Sequence, residues 1–254
     1  MRPRHAATAL ALSMTAFGAV AALASGNSGI SLTPPLLSHA AVAGSVGSMT
    51  VSNATGQTMK TTVAVHPWLQ AANGLASPNQ AVSLGGVRVS ASSFTLAPGA
   101  SKAIGVTLTK VPAQGSTYGN VDVVSLPTKK SSGSGVSFGY RLVGSLRLTP
   151  VHTRVAARVG SVVVSGTHKS GGLSLAITNT GNLLAASGGS VYVRSGRAGA
   201  NASISGVNIL PGATVDVPFL SLDGVLPAGR YSLSGSVLLA GRRVASARTS
   251  FTLR

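Results

Sequence analysis

The sequence predicts an all-β protein, with two tandem β-sandwich domains behind a signal peptide. Three observations support this prediction. The 254 residues include 32 Gly and 12 Pro but no Glu, so turn formers are abundant and strong helix formers are scarce. Apolar and polar residues alternate along many short segments, as in half-buried strands. Three landmarks also recur in the same order in the two halves, which indicates a duplicated domain.

Residues 1–24 have the three parts of a signal peptide. Arg2, Arg4 and His5 form a charged start, residues 6–20 are mostly apolar, and Ala22-Leu23-Ala24 is a small-x-small cleavage pattern. An uncleaved membrane anchor is the alternative, but the stretch is rich in alanine and no basic cluster follows it. We therefore expect cleavage before Ser25, no stable membrane span afterwards, and a secreted or extracytoplasmic location in the cell envelope.

The recurring landmarks are an Asn-headed turn after a strand, a Pro-Gly turn, and a tyrosine that opens a later strand. They are, in the first and the second half, Asn53 and Asn179, Pro98-Gly99 and Pro211-Gly212, and Tyr118 and Tyr231. Chance recurrence in a Gly- and Val-rich chain is the alternative explanation. We predict domains at 25–150 and 151–254, each long enough for a seven-stranded immunoglobulin-like sandwich. The two tyrosines match the corner tyrosine of that fold, whose hydroxyl ties down a nearby loop.

The charge balance limits the possible partners. Removal of the signal peptide lowers the formal net charge from +17 to +15, spread over both predicted domains. Such an excess favours anionic cell-wall or envelope polymers, although general basicity with no specific partner is the alternative. Specific nucleic-acid binding is not expected, because aromatic residues make up 4% and no recognised binding motif is present.

Catalysis and cofactor binding find little support in the sequence. The chain has no cysteine, and its three carboxylates are Asp122, Asp216 and Asp223. No two histidines of the mature chain have metal-ligand spacing, and no Gly-x-Ser-x-Gly elbow occurs. We therefore predict a protein that is not an enzyme, with no cofactor and no metal.

One long strand carries the candidate partner-binding residues. Its apolar side chains fall on one face with Gly144 as a gap, and Arg141 and Arg147 fall on the other. The apolar residues are Phe138, Tyr140, Leu142, Leu146 and Leu148. The strand is either an ordinary core strand or an edge that accepts a partner strand. We expect Leu142 to lie mid-core; for Leu146 and Leu148, near the domain junction, contact with a partner or with the second domain stays open.

Four segments together resemble the first domain of periplasmic fimbrial (pilus) chaperones. They are Ile30-Ser-Leu-Thr-Pro34, the strand that ends at Asn53, the Phe94-x-Leu96-x-Pro98-Gly99 turn, and the long strand leading into Pro150. Broader groups of exported bacterial proteins with tandem domains of this kind are equally similar. In the chaperones, the long strand completes a pilin subunit, and an Arg and Lys pair holds the terminal carboxylate of that subunit. No Arg occurs between Ser31 and Leu37, where one of the pair is expected.

Two functions remain open at this point. The first is a secreted or cell-surface structural or interaction protein that binds through sandwich edges or loops. The second, implied by the resemblance, is a periplasmic-type chaperone for a surface or fimbrial subunit. In both cases the partner is a protein bound by strand pairing, or an anionic polymer of the envelope.

Overall fold

The computed structural model describes residues 29–129, 138–196, 198–223 and 225–254. The predicted signal peptide lies outside the described residues. The described chain is all-β. Its strands, in chain order, are β1 (Ile30–Thr33), β2 (Leu36–Ala40), β3 (Gly44–Asn53), β4 (Met59–Gln70), β5 (Ala76–Pro78), β6 (Val87–Val89), β7 (Ser93–Leu96), β8 (Ser101–Leu108), β9 (Thr117–Pro127), β10 (Tyr140–Thr149), β11 (Ala157–Gly166), β12 (Gly171–Asn179), β13 (Ala185–Ser195), β14 (Ala198–Ser203), β15 (Asn208–Ile209), β16 (Thr214–Ser221), β17 (Gly229–Leu239) and β18 (Arg242–Leu253).

The first ten strands form two sheets around one core. One sheet has the order β1-β3-β8-β6, and the other has the order β2-β10-β9-β4-β5 with β7 paired to β4. Alternate residues of these strands point inward, so that Met49, Ile104, Val121 and Leu146 are fully buried in one apolar cluster. The chain passes from the first sheet to the second between β1 and β2, across Pro34 and Pro35.

The last eight strands repeat this arrangement. One sheet has the order β11-β12-β16, and the other has the order β14-β13-β17-β18 with β15 paired to β13. A separate apolar cluster, which includes Leu175, Ile177, Val217 and Leu233, fills the space between these two sheets. The predicted fold class, all-β with two tandem immunoglobulin-like sandwiches, is confirmed. The boundary at 150/151 stays a prediction.

Asn53 and Asn179 have the same role in the two sandwiches. The Asn53 carboxamide donates to Leu96 O at 3.1 Å, and the Asn179 carboxamide donates to Ile209 O at 2.8 Å. In each case the accepting carbonyl belongs to the last residue of its strand, two positions before the proline of the Pro-Gly turn. The main-chain oxygens of the two asparagines accept from Gly99 N and Gly212 N, both at 2.8 Å. Two landmarks of the repeat thus correspond to one hydrogen-bonded unit that occurs twice.

The two tyrosines of the repeat differ. Tyr231 is buried, and its hydroxyl donates to Pro227 O at 2.9 Å, as a corner tyrosine does. The Tyr118 hydroxyl instead accepts from Leu184 N of the second sandwich at 2.9 Å. Thr117, not Tyr118, takes the inward position at the start of β9. A shift of one residue moves a side chain to the other face of a strand, and the corner role expected for Tyr118 is therefore wrong.

The turn between β4 and β5 joins the two sandwiches. Gln70 donates through Nε2 to Asn208 O at 2.7 Å and accepts through Oε1 from Leu210 N at 2.8 Å. Asp216 N donates to Ala72 O at 2.7 Å beside it. The sandwiches are therefore joined by the Gln70 side chain and by one main-chain hydrogen bond, at residues far in sequence from the covalent link at Pro150. Among the described residues, no helix is long and apolar enough to cross a membrane.

Candidate partner-binding edge

Strand β10 has a neighbour on one side along its whole length and on the other side along half of it. Antiparallel pairing with β9 runs from Tyr140 to Leu148. Parallel pairing with β2 begins only at Ser145 and runs to Thr149. Residues 140–144 of β10 therefore have no strand beside them on the side away from β9, within the part of the chain that the structure describes. We call this side the open edge.

The path of the chain before β2 explains why pairing stops at Ser145. β1 pairs with β3 in the opposite sheet, so residues 30–33 are not available to extend β2 along β10. Pro34 and Pro35 follow, and neither has an N–H to donate. The first contact between the two segments is Ser145 N donating to Pro35 O at 2.7 Å. The open edge thus exists because the chain passes from one sheet to the other between β1 and β2.

The direction of that hydrogen bond also shows which main-chain groups are free. The N–H and C=O of one strand residue point to the same side, and those of the next residue point to the other side. Ser145 N and Thr149 O point toward β2, since they bond to Pro35 O and Ala41 N. Arg141 and Val143 lie four and two residues before Ser145, so their N–H and C=O groups point to the same side and face the open edge. A partner strand would pair with these groups.

The apolar row of β10 is divided between the core and the surface. Leu146 and Leu148 are 1% and 0% exposed and belong to the core. Tyr140 and Leu142 are half-buried and pack against that core, while Phe138 is 67% exposed. Leu142, expected mid-core, lies at the margin of the core, and Leu146 and Leu148, for which the sequence leaves partner contact open, take the core positions. Because β2 pairs with the end of β10 near Pro150, the accessible residues of the row lie at its beginning, near Phe138 and Tyr140.

Gly144 interrupts the apolar row for a steric reason. A Cβ at this position would lie 2.8 Å from Met49 Sδ and 2.9 Å from Leu32 Cδ2. These distances are shorter than packed atoms allow, so a side chain here would displace the ends of the Met49 and Leu32 side chains. Leu32 of β1 fills the space that a side chain at 144 would take. The gap in the sequence pattern is therefore a packing feature of the place where β1 leaves for the opposite sheet.

Exposed apolar side chains surround the open edge. Val143 and Leu36 lie on the outer face of the sheet, and Leu126 lies beside Gly139 at the end of β9. With Phe138, these residues form what we call the edge patch (Leu36, Leu126, Phe138 and Val143). Apolar side chains next to unpaired main-chain groups are what a strand-accepting surface needs. They also mark a site prone to self-association when no partner is bound.

An ion pair stabilises the outer face next to the patch. Arg141 donates through Nη2 to Asp122 Oδ2 at 2.8 Å and through Nε to Asp122 Oδ1 at 2.9 Å. Asp122 is almost fully buried, whereas Arg141 is about half exposed. This two-point contact between neighbouring strands holds the Arg141 side chain flat on the sheet. It leaves the main chain of Arg141 accessible at the open edge.

At its other end, β10 reaches the junction between the sandwiches. Arg147 is exposed there and is paired in register with Tyr118. Burial raises the pKa of the Tyr118 hydroxyl, an effect that the hydrogen bond from Leu184 N and the nearby Arg147 charge oppose. Trp68 and Tyr118 also line an open cavity of about 300 Å³ at this junction. Among the described residues, no group of three His, Asp or Glu side chains could hold a metal ion.

Comparisons with known proteins identify the fold. No protein-family model and no curated protein matches the sequence. Among solved structures, a chain of the chaperone–tip adhesin complex of CFA/I fimbriae biogenesis is 14% identical, with a TM-score of 0.50 over 89% of this chain and 99% of that one. The class 5 fimbriae chaperone CfaA is 15% identical, with a TM-score of 0.50 over 83% and 98%. At this identity the likeness shows the fold, and the resemblance to pilus chaperones is confirmed at that level.

Proposed function

We propose that this protein is an extracytoplasmic chaperone that binds an exported surface subunit through the open edge of β10. The observation that carries the proposal is the unpaired half of β10 in a fold shared with fimbrial chaperones. The predicted signal peptide supports the extracytoplasmic location. The same observations favour a chaperone over a general surface interaction protein, the first of the two functions that the sequence leaves open. The proposed activity needs no catalytic group.

The open edge offers a bound strand both main-chain and apolar contacts. Arg141 and Val143 each offer one N–H and one C=O to an added strand, and each such hydrogen bond contributes about 1 kcal/mol net. Burial of the exposed Phe138 ring would add about 2 kcal/mol. Val143, Leu126 and Leu36 add exposed apolar surface on the outer face of the sheet. We infer that the bound segment is an extended strand with apolar side chains at alternate positions.

Arg147 is our candidate for the cation that receives a terminal carboxylate. The resemblance to pilus chaperones implies a basic pair, and the sequence offers no Arg between residues 31 and 37. Arg147 lies on β10, is exposed, and faces the junction where Tyr118 contacts the second sandwich. A subunit strand paired with residues 140–144 would end at Ser145, where the pairing with β2 begins, about 7 Å along β10 from Arg147. A guanidinium suits a carboxylate because it donates two parallel hydrogen bonds.

The test is co-purification with exported proteins that are encoded next to the gene. The edge variant carries Phe138→Asp and Val143→Asp, which place charges where the partner strand would pack. Both side chains are exposed, so we expect a melting temperature close to that of the wild type. We expect the amount of co-purified subunit to fall at least tenfold.

A control variant carries Leu75→Asp and Val225→Asp, two apolar positions away from the edge that are at least as exposed. We expect it to retain the subunit. Retention by the edge variant, with both variants folded, would show that the open edge is not the binding site. Loss of the subunit in both variants would show that binding depends on net charge.

A further inference from the structure

The outer face of the sheet β14-β13-β17-β18 carries a group of arginines on one side of the second sandwich. The inward residues of its strands, such as Tyr231, Leu233 and Phe251, are buried. The residues that alternate with them are exposed on the opposite face. We call this surface the arginine face; its arginines are Arg194, Arg230, Arg243 and Arg248.

The strand register places these arginines on a common surface. Arg194 of β13 is paired with Ser232 of β17, and Arg230 lies two residues from Ser232 on the same face. Arg248 is paired with Ser234, and Arg243 is paired with Leu238. Strands lie about 4.8 Å apart and same-face residues about 6.8 Å apart along a strand. The Cα atoms of neighbouring arginines are therefore roughly 8–14 Å from one another, across a two-dimensional array.

Neither aspartate of the second sandwich lies on the arginine face. Asp216 belongs to β16 in the opposing sheet, and Asp223 follows the end of that strand. The ion pair that the structure records joins Arg141 to Asp122 in the first sandwich. Arg194 and Arg243 make contacts of 3.2 and 3.3 Å with Gly196 O and Ser246 Oγ, which leave most of their donors unused. The positive potential of the face is thus available to a ligand.

The remaining surface of the arginine face is rich in hydroxyl groups. Between the arginines lie exposed or half-buried serines and threonines of three strands: Ser190, Ser232, Ser234, Ser236, Ser246, Ser250 and Thr252. Hydroxyls both donate and accept, so they can pair with the hydroxyl groups of a saccharide. A face made only for a lipid surface would expose large apolar side chains for insertion, and this one exposes a single aromatic ring.

That ring belongs to Tyr192, which lies flat on the sheet. Tyr192 is 41% exposed, and a Cβ at Gly199 of β14 would lie 2.6 Å from its hydroxyl oxygen. The ring therefore extends over Gly199, and only glycine at that position leaves room for it. In register, Tyr192, Ser234 and Arg248 form one row across three strands. An exposed ring face beside a guanidinium can stack on a sugar while the cation pairs with an acidic group.

We infer that the arginine face binds an acidic polysaccharide. Arginines at spacings of roughly 8–14 Å match a polymer with repeated anionic groups. The hydroxyl rows and Tyr192 favour sugar units over the bases of a nucleic acid, for which repeated aromatic platforms would be expected. The inference does not rest on the proposed chaperone activity, since the face lies in the other sandwich and on a different sheet from the open edge.

The test measures binding of polygalacturonate, a uronic-acid polymer, by affinity electrophoresis and calorimetry at low salt. The face variant changes Arg194, Arg230, Arg243 and Arg248 to Gln. The control variant makes the same change in net charge on the first sandwich, at the exposed residues Lys60, Arg88, Lys102 and Lys110. We expect the face variant to bind at least tenfold more weakly and the control less than twofold more weakly. The affinity for polygalacturonate should also depend less on salt concentration in the face variant than in the wild type.

Three results would overturn the inference. Equal weakening of the two variants would show that only net charge matters. Tighter binding of duplex DNA or of vesicles containing anionic lipid, lost in the same face variant, would assign the face to another polyanion. Absence of binding by the wild-type protein would leave the face without this function. Neutral dextran should not bind in any case, and circular dichroism confirms that each variant is folded.

Discussion

Replacement of Asn53 by Ala should destabilise the first sandwich, and Asn179→Ala should do the same to the second. Both side chains are 1% exposed. Asn53 donates through Nδ2 to Gln57 O at 2.8 Å and to Leu96 O at 3.1 Å, and it accepts from Thr55 N at 3.0 Å. Asn179 makes the corresponding contacts with Leu183 O and Ile209 O, both at 2.8 Å. Each asparagine thus joins two turns that are distant in sequence.

The expected cost follows from these contacts. Loss of the two hydrogen bonds donated by Nδ2 lowers the free energy of unfolding by about 2 kcal/mol, at about 1 kcal/mol each. Leu96 O or Ile209 O would then be a buried carbonyl with fewer partners, which adds about 1–2 kcal/mol. The free energy of unfolding should therefore fall by roughly 3–4 kcal/mol in each variant, or about 10 °C or more in melting temperature. Asn73→Ala, at an exposed turn, is the control and should change stability by less than about 0.5 kcal/mol.

The assay is urea unfolding followed by two signals. The chain has one tryptophan, Trp68, in the first sandwich, so its fluorescence reports on that half, whereas circular dichroism reports on both. Asn53→Ala should lower the midpoint of the fluorescence transition. Asn179→Ala should lower a transition seen by circular dichroism and leave the fluorescence midpoint nearly unchanged. If both variants match the control, the turn-joining role is wrong; if Asn179→Ala shifts the fluorescence midpoint equally, the two halves unfold as one unit.

Three further outcomes are expected. Leu146→Asp should unfold the first sandwich because it buries an unpaired charge, whereas Leu142→Asp should lower the melting temperature by a few degrees; equal effects would contradict the burial pattern. Burial raises the pKa of Tyr231 in the folded chain, so the unfolded chain ionises first and stability falls as pH rises above about 10. Tyr231→Phe should lower the free energy of unfolding by about 1 kcal/mol at neutral pH, because the hydrogen bond to Pro227 O is lost. Its melting temperature should also fall less than that of the wild type at alkaline pH. An equal fall in both proteins would show that ionisation of Tyr231 is not the cause. Gln70→Ala removes two hydrogen bonds between the sandwiches, so it should broaden the small-angle scattering distance distribution while both sandwiches stay folded. An unchanged distribution would show that other contacts fix the angle between the sandwiches.

Local patterns were enough to predict the fold class and the duplication. Alternation of apolar residues reports directly which strand face is buried, since the side-chain period of a strand is two. Asn53 and Asn179 were recognisable because a buried asparagine after a strand has a short-range role within its own turn. The same local rule predicts the wrong role for Tyr118. Tyr118 lies one residue beyond the inward position, which Thr117 occupies, and its side chain therefore points to the opposite face of β9.

What the sequence by itself determined is thus the set of strands, their apolar rows and the excess of positive charge. The tertiary structure alone decided which part of each row is accessible. β2 covers Leu146 and Leu148 because the chain changes sheets at Pro34 and Pro35, more than 100 residues away along the chain. The arginine face likewise exists only through the register of β13, β17 and β18. Contacts between residues so distant in sequence depend on how whole strands dock, and no local pattern contains that information.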